Sequence, residues 1–152
     1  LTRINLIPPD ELTDQHLMAE WREIKMIPAS LRRSLKTKSI DDILKSIPKE
    51  FILGKGHVKF FYDKHEYLSD RYCDLSKELL KRGYKIKHRG PYEDFCKDIS
   101  LIFFDWYEPT EKDFEIIRNR IAEKINMKPD WYKFYGVSLV DIRQSKILTP
   151  DY

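Results

Sequence analysis

Apolar positions along this chain recur mainly at steps of three and four, and strict alternation is scarce. The pattern predicts a mainly helical protein. Its strongest segment is "GHVKFFYDKHEYLSDRYCDLSKELLKRG", where Val58, Phe61, His65, Leu68, Tyr72, Leu75 and Leu79 form one continuous stripe. That spacing predicts a single long helix, roughly 40 Å at about 1.5 Å per residue. Lys81, Arg82 and Gly83 supply a favourable stop. Upstream, Pro8 and Pro9 delimit an extended N-terminal arm. A first helix is expected from about Pro9 or Asp10 to about Ile27, with Pro28 breaking it or opening a second segment. "SIDDILKS", Ser39 to Ser46, reads as a short helix after a basic loop.

Residues 84–109 show no clear period and read as loop with one short helix. Thr110 and Asp113 fit a capping box, with Asp in place of the usual Glu. They open a helix to about Ile125 that carries Phe114, Ile117, Ile121 and Ile125 at helical spacing. The aromatic stretch "DWYKFYG" follows Pro129, and a tail runs to Tyr152. The expectation is an all-α, compact single domain of about three main helices with long loops.

Composition narrows the classes. The apolar fraction of 41% suffices for a core and is too high for a disordered chain. A formal net charge of +3 does not by itself make a nucleic-acid binder, so the distribution of charge must carry that case. Cys73 and Cys96 have no metal-type spacing, which argues against a zinc site or disulfide framework and suits a reducing cytoplasm. No charged n-region with an apolar run opens the sequence, and no stretch approaches 18 apolar residues; neither signal peptide nor membrane span is expected.

Several constellations could carry chemistry. His16, Glu20, Glu23 and Ile27 fall at steps of four, three and four, so His16 and Glu23 share a helix face, with Arg22 beside Glu23. A carboxylate with a basic neighbour suits acid–base catalysis; it equally suits a solvated charged face. Arg120 and Lys124 are four apart, and Lys128 and Lys133 are interleaved with Trp131, Tyr132, Phe134 and Tyr135. Cations neutralise phosphates and aromatics stack on unpaired bases, but packed aromatics also close small cores. The glycines of "FILGKGHVKFF" suit phosphate binding at a helix start or, more simply, a tight turn. His65, on the apolar stripe, reads as a core histidine.

Taken in order, "TRINL", "DQHLMAEWRE", "FILGKGHVKFFYDK", "LKRGY", "EKI" and "WYKFYG" resemble the pyrimidine-dimer DNA glycosylases across residues 2–136. The resemblance implies an all-helical fold of the endonuclease V type over residues 1–136, with 137–152 as a C-terminal extension. It implies a glycosylase acting on cyclobutane pyrimidine dimers in double-stranded DNA, coupled to an abasic-site lyase, with no metal or other cofactor. The family's nucleophile, the α-amine of the Thr after the initiator Met, falls on Thr2. Its catalytic carboxylate falls on Glu23, the neighbouring base on Arg22 and the family histidine on His16. DNA-contacting positions fall on Arg3, Arg120, Lys124, Trp131, Tyr132, Lys133 and Tyr135. The family is understood to flip the base opposite the lesion. Met26 stands where the family pattern carries Arg; Lys25, Arg32 and Arg33 are the nearby cations. The implied partner is DNA with dimers or abasic sites, engaged by a monomer without membrane attachment. The place of action is the cytoplasm, on the nucleoid or, for a phage-encoded protein, in the host.

The implied nucleophile makes chemical sense. An α-amine has an unperturbed pKa of about 7.7–8.0, against roughly 10.4 for Lys, so a useful fraction is neutral at pH 7. Arg3 and Arg22 should lower it further. Leu1 is expected to be a literal reading of an alternative TTG or CTG start codon, Met in the cell and removed before Thr2. Two alternatives stand beside this one: the same fold acting on a different damaged base, and a non-catalytic damaged-DNA-binding module.

Overall fold

A computed structural model describes residues 3–139. The chain is built from helices α1 (Asp14–Glu23), α2 (Met26–Leu35), α3 (Ile40–Ser46), α4 (His57–Phe60), α5 (His65–Lys81) and α6 (Glu111–Met127). Short 3-10 turns lie at Pro9–Glu11, Tyr92–Phe95 and Leu101–Phe103. One antiparallel hairpin pairs β1 (Lys133–Phe134) with β2 (Val137–Ser138). Among the described residues no helix is long and apolar enough to cross a membrane, and no group of His, Cys, Asp and Glu is arranged to hold a metal.

The expected first helix is two. Pro28 has no N–H to offer the carbonyl of Ile24, four residues back, and its ring crowds that oxygen. The helix stops at Glu23 and restarts at Met26. The freed Ile24 carbonyl accepts the buried Tyr92 hydroxyl at 2.8 Å. The expected long helix is also two pieces. Phe60, Phe61 and Tyr62 are all buried. Three consecutive residues span about 200° of a helix, too wide for one apolar stripe. The chain therefore leaves helical geometry after Phe60, and Lys64 bridges to Phe104 before α5 begins. Asp105 N–H donates to the Asp63 carbonyl in the same crossing.

Other ends follow local chemistry. Gly83, at φ +90°, closes α5: its N–H reaches Leu80 and that of Tyr84 reaches Leu79, which satisfies two terminal carbonyls. The capping box at α6 is formed, with Thr110 and Asp113 exchanging side-chain and backbone bonds at 3.1 and 3.2 Å. Ile117, Ile121 and Ile125 of α6 are buried. Trp21 of α1 lies over Tyr72 of α5 and donates to Ser76 at 3.0 Å, fastening those two helices together. His65 is a core residue, fully buried, with Nδ1 3.2 Å from the Phe103 carbonyl.

The hairpin lies across the expected boundary at 136/137, and Leu139 beyond it is buried. Its turn places Tyr135 and Gly136 both at positive φ, +53° and +78°. Those turn N–H groups donate to the Asp14 carboxylate at 3.1 and 2.8 Å. Gln15 completes the dock, donating to the Trp131 carbonyl and accepting from Lys133 N–H. Hairpin and α1 thus present one face.

Candidate active site

Two cavities flank α1. One, of about 320 Å³, is lined by Arg3, Asn5, His16, Ala19, Glu20, Glu23, Arg120, Lys124 and Tyr132. The other, of about 640 Å³, is lined by Asp14, Gln15, His16, Met18, Ala19, Arg22, Tyr84, Trp131 and Tyr132. His16, Ala19 and Tyr132 belong to both and form the wall between them. The imidazole of His16 stacks on Tyr132, with centroids 4.8 Å apart and planes 5° from parallel.

The smaller cavity gathers charge of both signs. Glu23 is part-buried, and burial raises its carboxyl pKa, with Arg3 pulling the other way. Burial also lowers the Arg3 pKa, helped by the like charge of Arg120. Arg120 holds Glu123 at 3.1 Å. The His16 pKa is lowered to about 4, first by burial, then by Arg3 and Lys124, so its ring is neutral near pH 7. The Thr13 hydroxyl caps α1 by accepting from His16 N–H, and it also hydrogen-bonds His16 Nδ1 at 2.6 Å, which fixes the ring's orientation.

Arg3, His16, Glu23, Arg120, Lys124 and Tyr132 share the smaller cavity, while Arg22 and the exposed Trp131 line the larger one. Thr2 lies outside the described residues. Lys133 is exposed and lines neither cavity. Tyr135 stands apart: its hydroxyl donates to Glu78 at 2.5 Å and its ring covers Arg82. It serves as an anchor for the hairpin. Met26 is half exposed at the first turn of α2. Arg32 makes a bidentate pair with Asp98, both bonds 2.7 Å, so its charge is already engaged. The glycines at 54 and 56 sit at positive φ in a tight turn leading into α4.

Five residues with no assigned role in the sequence reading shape this site. Glu20 is buried in a bidentate pair with Arg71 and accepts from Asn5 N–H at 3.0 Å. Arg71 also donates to the carbonyls of Leu6 and Ile7. His57 accepts from Ile4 N–H at 2.9 Å. Gln15 docks the hairpin, and Asn5 carries a buried side-chain oxygen with no partner among the described residues. A weak signal existed for Arg71. It falls three after Leu68 and four before Leu75, at the margin of the apolar stripe, where a cation needs an internal partner.

Residues 1–90 match the family of pyrimidine dimer DNA glycosylases. The match covers the arm, α1 through α5 and the turn after α5, including Arg3, His16, Arg22 and Glu23. The α6 cations and the hairpin aromatics lie beyond it, yet they fold back onto the same two cavities. The protein belongs to the pyrimidine dimer DNA glycosylase family, enzymes of DNA repair.

Proposed function

We propose that this glycosylase acts as a monomer on cyclobutane pyrimidine dimers in duplex DNA, cleaving the glycosidic bond of the 5′ pyrimidine through the free α-amine of Thr2, and then breaks the strand by β-elimination. The observation that carries this reading is covalent and local. Residue 3 lines the cavity that contains Glu23, and residue 2 is its neighbour along the chain. The neutral amine attacks the anomeric carbon of the 5′ pyrimidine's sugar. A nitrogen–carbon bond forms, the glycosidic bond breaks, and its electron pair leaves with the base. Opening of the sugar ring yields an iminium joining protein to DNA. Glu23, charged and facing a cationic intermediate, stabilises it electrostatically. It then accepts a proton from the adjacent sugar carbon, and the 3′ C–O bond breaks with phosphate as leaving group. The raised pKa of Glu23 brings it closer to neutrality, which suits a group that must both carry charge and take up a proton.

Arg3, Arg120 and Lys124 supply positive potential for the phosphates. Trp131 and Tyr132, at the larger cavity, offer aromatic faces for an unstacked base. The chemistry requires that residue 2 carry the free amine. Borohydride reduction of the processed protein with dimer-containing or abasic duplex should trap a covalent adduct, and peptide mapping should place it on residue 2. Glu23→Gln should bind the same duplex and fail to cleave it. No adduct, or an adduct on a lysine, would remove Thr2 from the reaction.

A further inference from the structure

The N-terminal arm is held by three buried side chains rather than by a strand partner. Its backbone is strained: Leu6 sits at φ +58°, and Ile7 N–H folds back 2.5 Å to the Asn5 carbonyl in a three-residue turn. A non-glycine residue in this conformation persists only where its surroundings fix it. Arg71 grips the carbonyls of Leu6 and Ile7, and Glu20 grips Asn5 N–H. The outermost hold is His57, which meets Ile4 N–H.

We propose that His57 is a positioning residue for the reaction, a neutral imidazole whose Nε2 accepts the Ile4 N–H and so limits the reach of the chain that leads to the α-amine. This rests on the α-amine chemistry above. From the Ile4 nitrogen to that amine is two residues, at most about 7 Å of chain. Fixing Ile4 therefore confines the nucleophile. Both ring nitrogens of His57 have assigned partners. Nδ1–H donates to the Ile52 carbonyl at 2.9 Å, which forces Nε2 to be the acceptor. The ring is wedged edge-on against Phe51 and Phe61 and is buried, so it cannot swing away. A protonated ring would present N–H to N–H at Ile4. Burial opposes that, as does the nearby Arg3 charge; the Ile52 bond and Glu20 act in the other direction, and the net pKa is lowered.

The test pairs His57→Leu, which removes the acceptor and keeps apolar bulk, with His57→Gln, which restores an acceptor near Nε2. The assays are single-turnover borohydride trapping and equilibrium binding on abasic duplex. Trapping should slow about 10- to 100-fold in His57→Leu, as expected when a nucleophile is misplaced by about an ångström, with affinity kept within about threefold. His57→Gln should recover most of the rate. A trapping rate in His57→Leu equal to that of the unaltered protein would overturn the proposal, as would equal losses in rate for Leu and Gln. If the unaltered protein traps nothing, the amine chemistry fails instead. Should His57→Leu not fold, ¹⁵N NMR of the unaltered protein decides. A scalar coupling between Ile4 N and His57 Nε2 supports the tether, and a rapidly exchanging Ile4 amide without coupling refutes it.

Discussion

Arg71→Met is the sharpest test of how the arm is held. Arg71 and Glu20 are 5% and 0% exposed, and their shortest bond is 2.6 Å. Methionine keeps much of the stem volume and removes all donors. Breaking one side of a buried ion pair costs about 3–5 kcal/mol, because the partner charge is stranded. The carbonyls of Leu6 and Ile7 lose their donor as well. Each buried carbonyl left unpaired costs about 1–3 kcal/mol, less where the arm can peel into water. A loss of about 6 kcal/mol is expected, or roughly 12–24 °C in Tm for a domain of this size. Urea and thermal melts followed by far-ultraviolet circular dichroism measure it. The double variant Glu20→Gln/Arg71→Met separates two contributions. It removes the stranded charge and keeps an acceptor for Asn5 N–H. If the pair only neutralised itself, the double variant would return close to the original stability. If it clamps the arm, a deficit of about 2 kcal/mol remains for the two carbonyls. Arg71→Met within about 1 kcal/mol of the original would refute the clamp altogether.

Two further outcomes test the site. His16 binds its proton at about 4 in the folded state against an ordinary 6.5, so the unfolded chain takes up that proton first. Its contribution is fully present above pH 6.5 and is lost as pH falls toward 4, by at most about 3 kcal/mol. His16→Gln should show a shallower loss in melts across that range, and an identical slope would contradict the buried neutral ring. For Arg120→Ala, the log–log salt slope of binding to abasic duplex should fall by about 0.9, the value for one phosphate contact. An unchanged slope in fluorescence anisotropy between low and moderate salt would remove Arg120 from the phosphate grip.

Much of the helical frame was legible because it is set by local rules. Thr110 with Asp113, Ser39 before α3, and Gly83 after α5 are each decided within one turn of chain, and all three mark helix ends. The stripe from Leu68 to Leu79 is buried as its period demands. What failed was decided at a distance. The run Phe60–Tyr62 looks like helix by period until one asks where three adjacent rings can be buried at once, and the answer needs the segment that crosses at Phe104. The hairpin has strands of only two residues, too short for alternation to register, and its turn depends on Asp14 far away in sequence. At the site, the shared helix face made Glu23, Arg22 and His16 candidates, and the resemblance, not the spacing, gave them roles. His57 left no trace in the side-chain pattern, since its partner is a backbone group of the arm, and Arg71 only its place at the margin of the stripe.

The two glutamates of α1 show how the fold divides labour. Glu20 and Glu23 are three residues apart on one helical face and both reach the smaller cavity. Nothing in their residue type tells them apart. Glu20 is fully buried, and its two oxygens are consumed by Arg71 and the arm's backbone. A carboxylate so buried and paired is a fixed countercharge, held by three hydrogen bonds away from any sugar. Glu23 is only part-buried and its environment pushes its pKa up, with Glu20 itself one of the contributing charges. Of the two, Glu23 is therefore the carboxylate that fits the proposed proton transfer. The same Arg71 that neutralises Glu20 also fixes Leu6 and Ile7, so one buried cation both pairs the buried acid and holds the segment that leads to the proposed nucleophile. Loosening Arg71 would then move the arm. A loss of cleavage in Arg71→Met, measured where circular dichroism shows the variant still folded, separates this arrangement from simple unfolding.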